Sequence, residues 1–186
     1  LLLCRRELEQ LGNKRRVFTS ADYAAADLLQ AGIDHLDAAA TLMAGSHRHL
    51  DSAGYLCHMA IELMLKAWVL HRTGSFRGTH HLQEQITVLA AVGETLDLSE
   101  RQKQVLKYIS GFAELRYPNL KNPVEIGSED IGLVTELAET IWQQIPDDLV
   151  AAYESIPVHR KGRRVIMKRR KEIPRDLQLE TGITAK

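Results

Sequence analysis

His58, Glu62 and Lys66 follow one another at intervals of four in an otherwise apolar stretch. On a helix that spacing stacks the three side chains on one face. An imidazole, a carboxylate and an ammonium sharing a face can move protons or grip a charged ligand in a groove. The same spacing also suits a solvated helix edge, where a Glu-to-Lys pair in this direction contributes about 0.3 kcal/mol. Arg116 and Tyr117 form a second candidate pair. An Arg-Tyr pair at the mouth of a bundle can hold a phosphate and stack on a base. An Arg at a helix C-terminus is equally accounted for by the helix dipole.

Histidines are plentiful, with His47 and His49 close together and His80 and His81 adjacent. No acidic or Cys partner completes either pair at a usual metal-ligand spacing, and neither falls in a His-x-x-x-His arrangement. Adjacent side chains on a helix diverge by about 100°, so His80 and His81 do not readily chelate one ion. No metal site and no cofactor are expected. Trp68, Trp142 and Phe112 are expected in the core.

The elements that must position these residues are helical. Thr19-Ser20-Ala21-Asp22 has the residue types of a helix start. Leu28, Ala31, Leu36, Ala39 and Leu42 then recur at helical spacing from Ala21 to about Ala44. A second helix is predicted over 50–72. Ala53, Cys57, Ala60, Met64 and Trp68 make one apolar stripe and Leu56, Leu63 and Leu70 another, so this helix should be central. A third is predicted from His80 to Val92 on Leu82, Ile86 and Leu89. A fourth runs from an N-cap at Ser99 to about Leu115, with Val105, Ile109 and Phe112 inward. Pro118 stops it. A fifth begins at Ser128-Glu129-Asp130 and carries Ile131, Val134, Leu137 and Ile141 to about Ile145. A short helix follows from Asp147 to Ser155. The only other strand-like pattern is a brief one at 164–167.

The fold class is therefore all-α, an antiparallel four- to five-helix bundle with a basic C-terminal tail. The organisation predicted is a lead-in over 1–18, the bundle over 19–156 and the tail over 157–186. Apolar residues at 45% and charged residues at 26% are ordinary for a globular chain. The formal net charge of zero conceals an uneven distribution. Between Arg160 and Arg175 stand nine Lys or Arg and a single acid, Glu172. That tail suits a phosphate or an acidic partner, or is simply solvated. It contains no aromatic residue for stacking on bases. The two cysteines, Cys4 and Cys57, make no disulfide framework, which fits a reducing cytoplasm. No apolar run reads as a membrane span and Leu1-Leu2-Leu3 meets charge at once, so neither membrane nor signal peptide is expected.

Ala60-Ile61-Glu62-Leu63-Met64-Leu65-Lys66-Ala67 resembles the alanine-x-Glu-x-x-x-Lys-Ala signature of HEPN domains. Thr79-His80-His81-Leu82 is similar to the loop-end His and Leu of that superfamily. Leu115-Arg116-Tyr117-Pro118 resembles the Arg-Tyr element at the end of its third long helix. Order and spacing agree over about residues 20–145. The resemblance implies a bundle that commonly dimerises, with a cleft that binds nucleotide or RNA in various members. Some members are ribonuclease toxins, and others pair with a small nucleotidyltransferase.

The ribonuclease branch uses Arg-x(4–6)-His, a fixed cation and a proton-transfer group acting on one phosphate. After Arg116 the required positions hold Lys121, Asn122 and Pro123, and no other Arg has a His at that spacing. The expected function is thus a nucleotide- or partner-binding regulatory module rather than an enzyme. A toxin–antitoxin or defence setting with a nucleotidyltransferase partner fits the resemblance. An RNA-cleaving enzyme and a structural oligomeric subunit are the alternatives. The ligand site is expected at Glu62, Lys66, His80, His81, Arg116 and Tyr117, in a homodimer.

Overall fold

The computed structural model describes residues 16–45, 49–116, 124–127 and 129–156. Tyr117, the helix start at Ser128, most of the lead-in, the strand-like segment at 164–167 and the basic tail lie outside the described residues.

Within them the chain forms α1 (Ala25–Gly45), α2 (Leu50–Thr73), α3 (Leu82–Ala91), α4 (Glu100–Ser110), a 3-10 turn (Gly111–Arg116), α5 (Asp130–Gln144) and α6 (Asp147–Glu154). The all-α bundle expected from apolar periodicity is present. Helix α2 is its centre, with α1, α3, α5 and the 3-10 turn packed against it. Its first apolar stripe, Ala53, Cys57, Ala60, Met64 and Trp68, is fully buried. On length and composition alone α2 could cross a membrane, contrary to the expectation that no apolar run is long enough. Its most apolar window is 78% buried inside the fold, which makes it a core helix.

Two glycines fix how α2 is held. A Cβ on Gly32 of α1 would meet the Ala60 carbonyl oxygen at 2.9 Å and Met64 Cγ at 3.0 Å. The absence of a side chain there lets the two longest helices approach closely. Gly74 ends α2 with φ 74°, a left-handed conformation open to glycine, and its N–H donates to the Leu70 carbonyl.

The chain also contains a two-stranded antiparallel ribbon that the sequence pattern missed. Strand β1 (Val17–Thr19) pairs with β2 (Ser75–Arg77), placing Phe18 opposite Phe76. Val17 and Phe18 of the predicted lead-in belong to this ribbon. The expected helix start at Thr19–Asp22 is instead a turn. Asp22 accepts hydrogen bonds from the Thr19 N–H and hydroxyl, and those local bonds compete with helix formation until Ala25.

Ser99 caps α4 as predicted, in a reciprocal capping box with Gln102. The fourth helix is shorter than expected. The Ser110 hydroxyl bonds back to the Leu106 carbonyl, Gly111 follows, and the backbone tightens to 3-10. Phe112, Trp68 and Trp142 are core residues, as expected.

Candidate functional site

The site is built on the middle of α2. His58, Glu62 and Lys66 share a face, as their spacing requires, but that face is buried rather than solvated. It is covered by α4, by the 3-10 turn and by the segment that leads from β2 into α3. The expectation of a solvated edge is therefore corrected: the face lies in a seam between helices.

Glu62 is the hub. Its carboxylate is 1% exposed and accepts from Lys66 Nζ at 2.5 Å on Oε1 and from His58 Nε2 at 3.1 Å on Oε2. His80 Nδ1 reaches the same carboxylate, 2.9 Å from Oε2 and 3.2 Å from Oε1. Burial pushes the Glu62 carboxyl up. The hydrogen bond from His58, the charge and bond of Lys66 and the bond from His80 outweigh it and hold the group down at about 2. Glu62 is therefore an anion with partners on both oxygens.

His58 is fixed from its other side, where Nδ1 lies 3.1 Å from the Ile109 carbonyl oxygen of α4. That contact spans the bundle and ties the polar face of α2 to the last turn of α4. Both ring nitrogens thus face acceptors.

Lys66 points its ammonium at a second feature, with Nζ 5.4 Å from the centre of the Phe76 ring. Phe76 stacks on Phe18 at 5.3 Å, and Tyr23 meets Phe18 edge-on at 5.5 Å. Arg16 lies 4.7 Å above the Phe18 ring. Tyr23 is 43% exposed. The β-ribbon thus sets an aromatic cluster, partly open to solvent, beside the buried charges. Phe18 and Tyr23 escaped sequence reasoning because a three-residue strand carries too little alternation to register.

His80 closes the other side. It follows the buried Thr79 and precedes His81 and the fully buried Leu82, which anchor the start of α3. Its side chain is 54% exposed while its Nδ1 touches the buried carboxylate, so it is the surface end of the network. His81 is the N-cap position of α3, exposed and without a side-chain cap bond.

The structure thus gathers Glu62, Lys66 and His80, and adds His58, which was noticed for its spacing and left out of the expected ligand set. Arg116 stands elsewhere on the same seam. It is exposed at the end of the 3-10 turn, and its neighbour Leu115 packs against Gly54. Gly54 precedes Glu62 by eight residues on α2, about 12 Å of helix rise. Since Ile109 lies at His58 and Leu115 at Gly54, α4 and the turn run antiparallel to α2.

The fold and this polar seam define a helical-bundle domain with a charged centre on its core helix. Residues 25–147, well over half of the chain, match the HEPN domain family, and the chain belongs to it. Membership connects the protein with nucleotide- or RNA-related function in general terms. No curated protein and no solved structure gave a significant match.

Proposed function

We propose that the protein is a nucleotide- or RNA-binding regulatory module of the HEPN family, with its ligand site in the seam between α2, the β2–α3 segment and the 3-10 turn. The observation that carries this reading is the Lys66 ammonium set against Phe76 of the Phe18–Tyr23–Phe76 cluster, with His80 on the same Glu62 carboxylate. A phosphate is drawn by an ammonium and an imidazole, and a base stacks on an exposed aromatic ring. Arg116, exposed farther along the seam, supplies a further phosphate contact, with Tyr117 beside it in sequence and His81 at the rim.

A ribonuclease reading is not favoured, since Arg-x(4–6)-His is missing from the sequence. Purified protein is expected to leave RNA intact. Sustained cleavage that vanishes in Arg116→Ala would overturn this. A homodimer, a cytoplasmic location and a nucleotidyltransferase-type partner in a defence or toxin–antitoxin setting are proposed on family membership and composition. Light scattering tests the first of these.

Calorimetry with mono- and dinucleotides tests the binding reading. Wild-type protein is expected to bind, and His80→Ala and Arg116→Ala to lose binding while their melting temperatures barely move. Absence of binding by the wild type, together with a large loss of stability in Arg116→Ala, would replace the ligand site with a packing role.

A further inference from the structure

We propose that His58, Glu62 and His80 form a binding site for a divalent transition metal of the zinc class. The site shares His80 and Glu62 with the seam proposed above for nucleotide, but it is carried by different observations and tested with the metal alone.

The donor set comes first. The ligand atoms of these three residues lie within 4.8 Å of one another. Glu62 Oε2 is the shared corner, 3.1 Å from His58 Nε2 and 2.9 Å from His80 Nδ1. In a tetrahedral zinc site with bonds of about 2.0–2.1 Å, neighbouring donors stand roughly 3.3 Å apart. These two separations differ from that by a few tenths of an ångström. Two imidazoles and one carboxylate are a ligand set suited to such ions, and three protein ligands leave one position open.

The surroundings of His58 are the second observation. A metal-bound histidine characteristically donates its other ring N–H to a carbonyl or carboxylate, which fixes the tautomer. His58 Nδ1 faces the Ile109 carbonyl at 3.1 Å, with the ring fully buried. That contact fixes the ring so that Nε2 faces Glu62 Oε2. An ion seated between Nε2 and Oε2 is also within reach of His80 Nδ1.

Access and competition are the third. Glu62 and His58 are buried, so an ion enters past His80, the exposed ligand, which can swing over a seated ion. The Lys66 ammonium sits on Oε1, while His58 and the shorter of the two His80 contacts are on Oε2. The carboxylate therefore binds the metal through one oxygen. His58 and Glu62 are one helical turn apart on α2 and need no rearrangement to present together. The sequence hid the set because its third member arrives from a loop eighteen positions after Glu62.

The experiment uses the untagged full chain, stripped with chelator and titrated with Zn²⁺ by calorimetry, with Co²⁺ as a spectroscopic probe. One ion per chain is expected, with visible absorption of tetrahedral Co²⁺ and a rise in melting temperature on adding Zn²⁺. His80→Ala removes an exposed ligand and is expected to fold, to lose the Co²⁺ signature and to weaken Zn²⁺ binding about tenfold or more. His71→Ala, on the same helix but paired with Asp148, is expected to bind like the wild type. Absence of stoichiometric binding by the wild type would overturn the site. Equal affinity in wild type and His80→Ala would also overturn it, by placing the ion on other histidines.

Discussion

Helix α2 carries two groups of charged partners, each with histidine, a basic side chain and carboxylate. In its middle, Glu62 is enclosed by Lys66, His58 and His80. Near its C-terminus, Arg72 meets Glu94 at 2.6 Å, and His71 meets Asp148 at 2.9 Å. Arg72 is 35% exposed and Asp148 64%, against 1% for Glu62. Distances are alike in the two groups, but the solvent is not. At the helix end water screens the charges and replaces a lost partner. In the middle, burial keeps water from Glu62, His58 and Lys66, and those three depend on one another being present. Short charge contacts therefore mark a functional or structural centre only when burial is considered with them.

The largest break in this contrast is Glu62→Ala. It leaves Lys66 and His58 buried without their anion, and is expected to cost about 3–5 kcal/mol in urea unfolding. A loss under about 1 kcal/mol would place the network in water and remove the contrast. Replacing the set together, as His58→Leu, Glu62→Leu and Lys66→Met, is expected to recover most of that loss, because apolar groups of similar volume need no partners. A triple variant as unstable as Glu62→Ala would locate the cost in packing instead.

Acid sharpens the same point in metal-free protein. The Glu62 carboxyl is held at about 2 in the fold, below its ordinary 4.5. A depressed carboxylate stabilises the fold fully above its unfolded value, and that contribution is lost as pH falls from 4.5 towards 2. Urea unfolding of wild type should therefore weaken over this window more than that of Glu62→Gln. Parallel curves would contradict the assignment.

The smallest effect belongs to the helix end. Arg72→Ala is expected to change stability by no more than about 1 kcal/mol, and the difference should shrink with added salt. A salt-insensitive loss several times larger would put that pair on a par with the buried set.

Much of this arrangement was legible in the sequence because it is local. Ala53, Cys57, Ala60, Met64 and Trp68 recur at helical period, so α2 and its central place follow from spacing. The common face of His58, Glu62 and Lys66 follows for the same reason. Its burial does not, since that depends on α4 and the loop before α3 covering it. The Ile109 carbonyl that holds His58 comes from fifty-one positions away and is a backbone group, which leaves no trace in residue types. The β1–β2 ribbon was missed because its order comes from pairing across the chain rather than from alternation within three residues. As a ligand residue, His80 follows only from the family resemblance. Nothing in its neighbourhood in sequence points to Glu62.

The claim on which the account rests is that the Glu62-centred seam, with its aromatic flank, is where this protein meets a phosphate-bearing ligand. Amide chemical-shift mapping of the full chain during titration with a mononucleotide and a dinucleotide tests it most directly. The account predicts shifts concentrated at 16–23, 58–66, 76–81 and 116 and lost in His80→Ala. Saturable shifts confined to other surfaces, or no shifts at all, would contradict it.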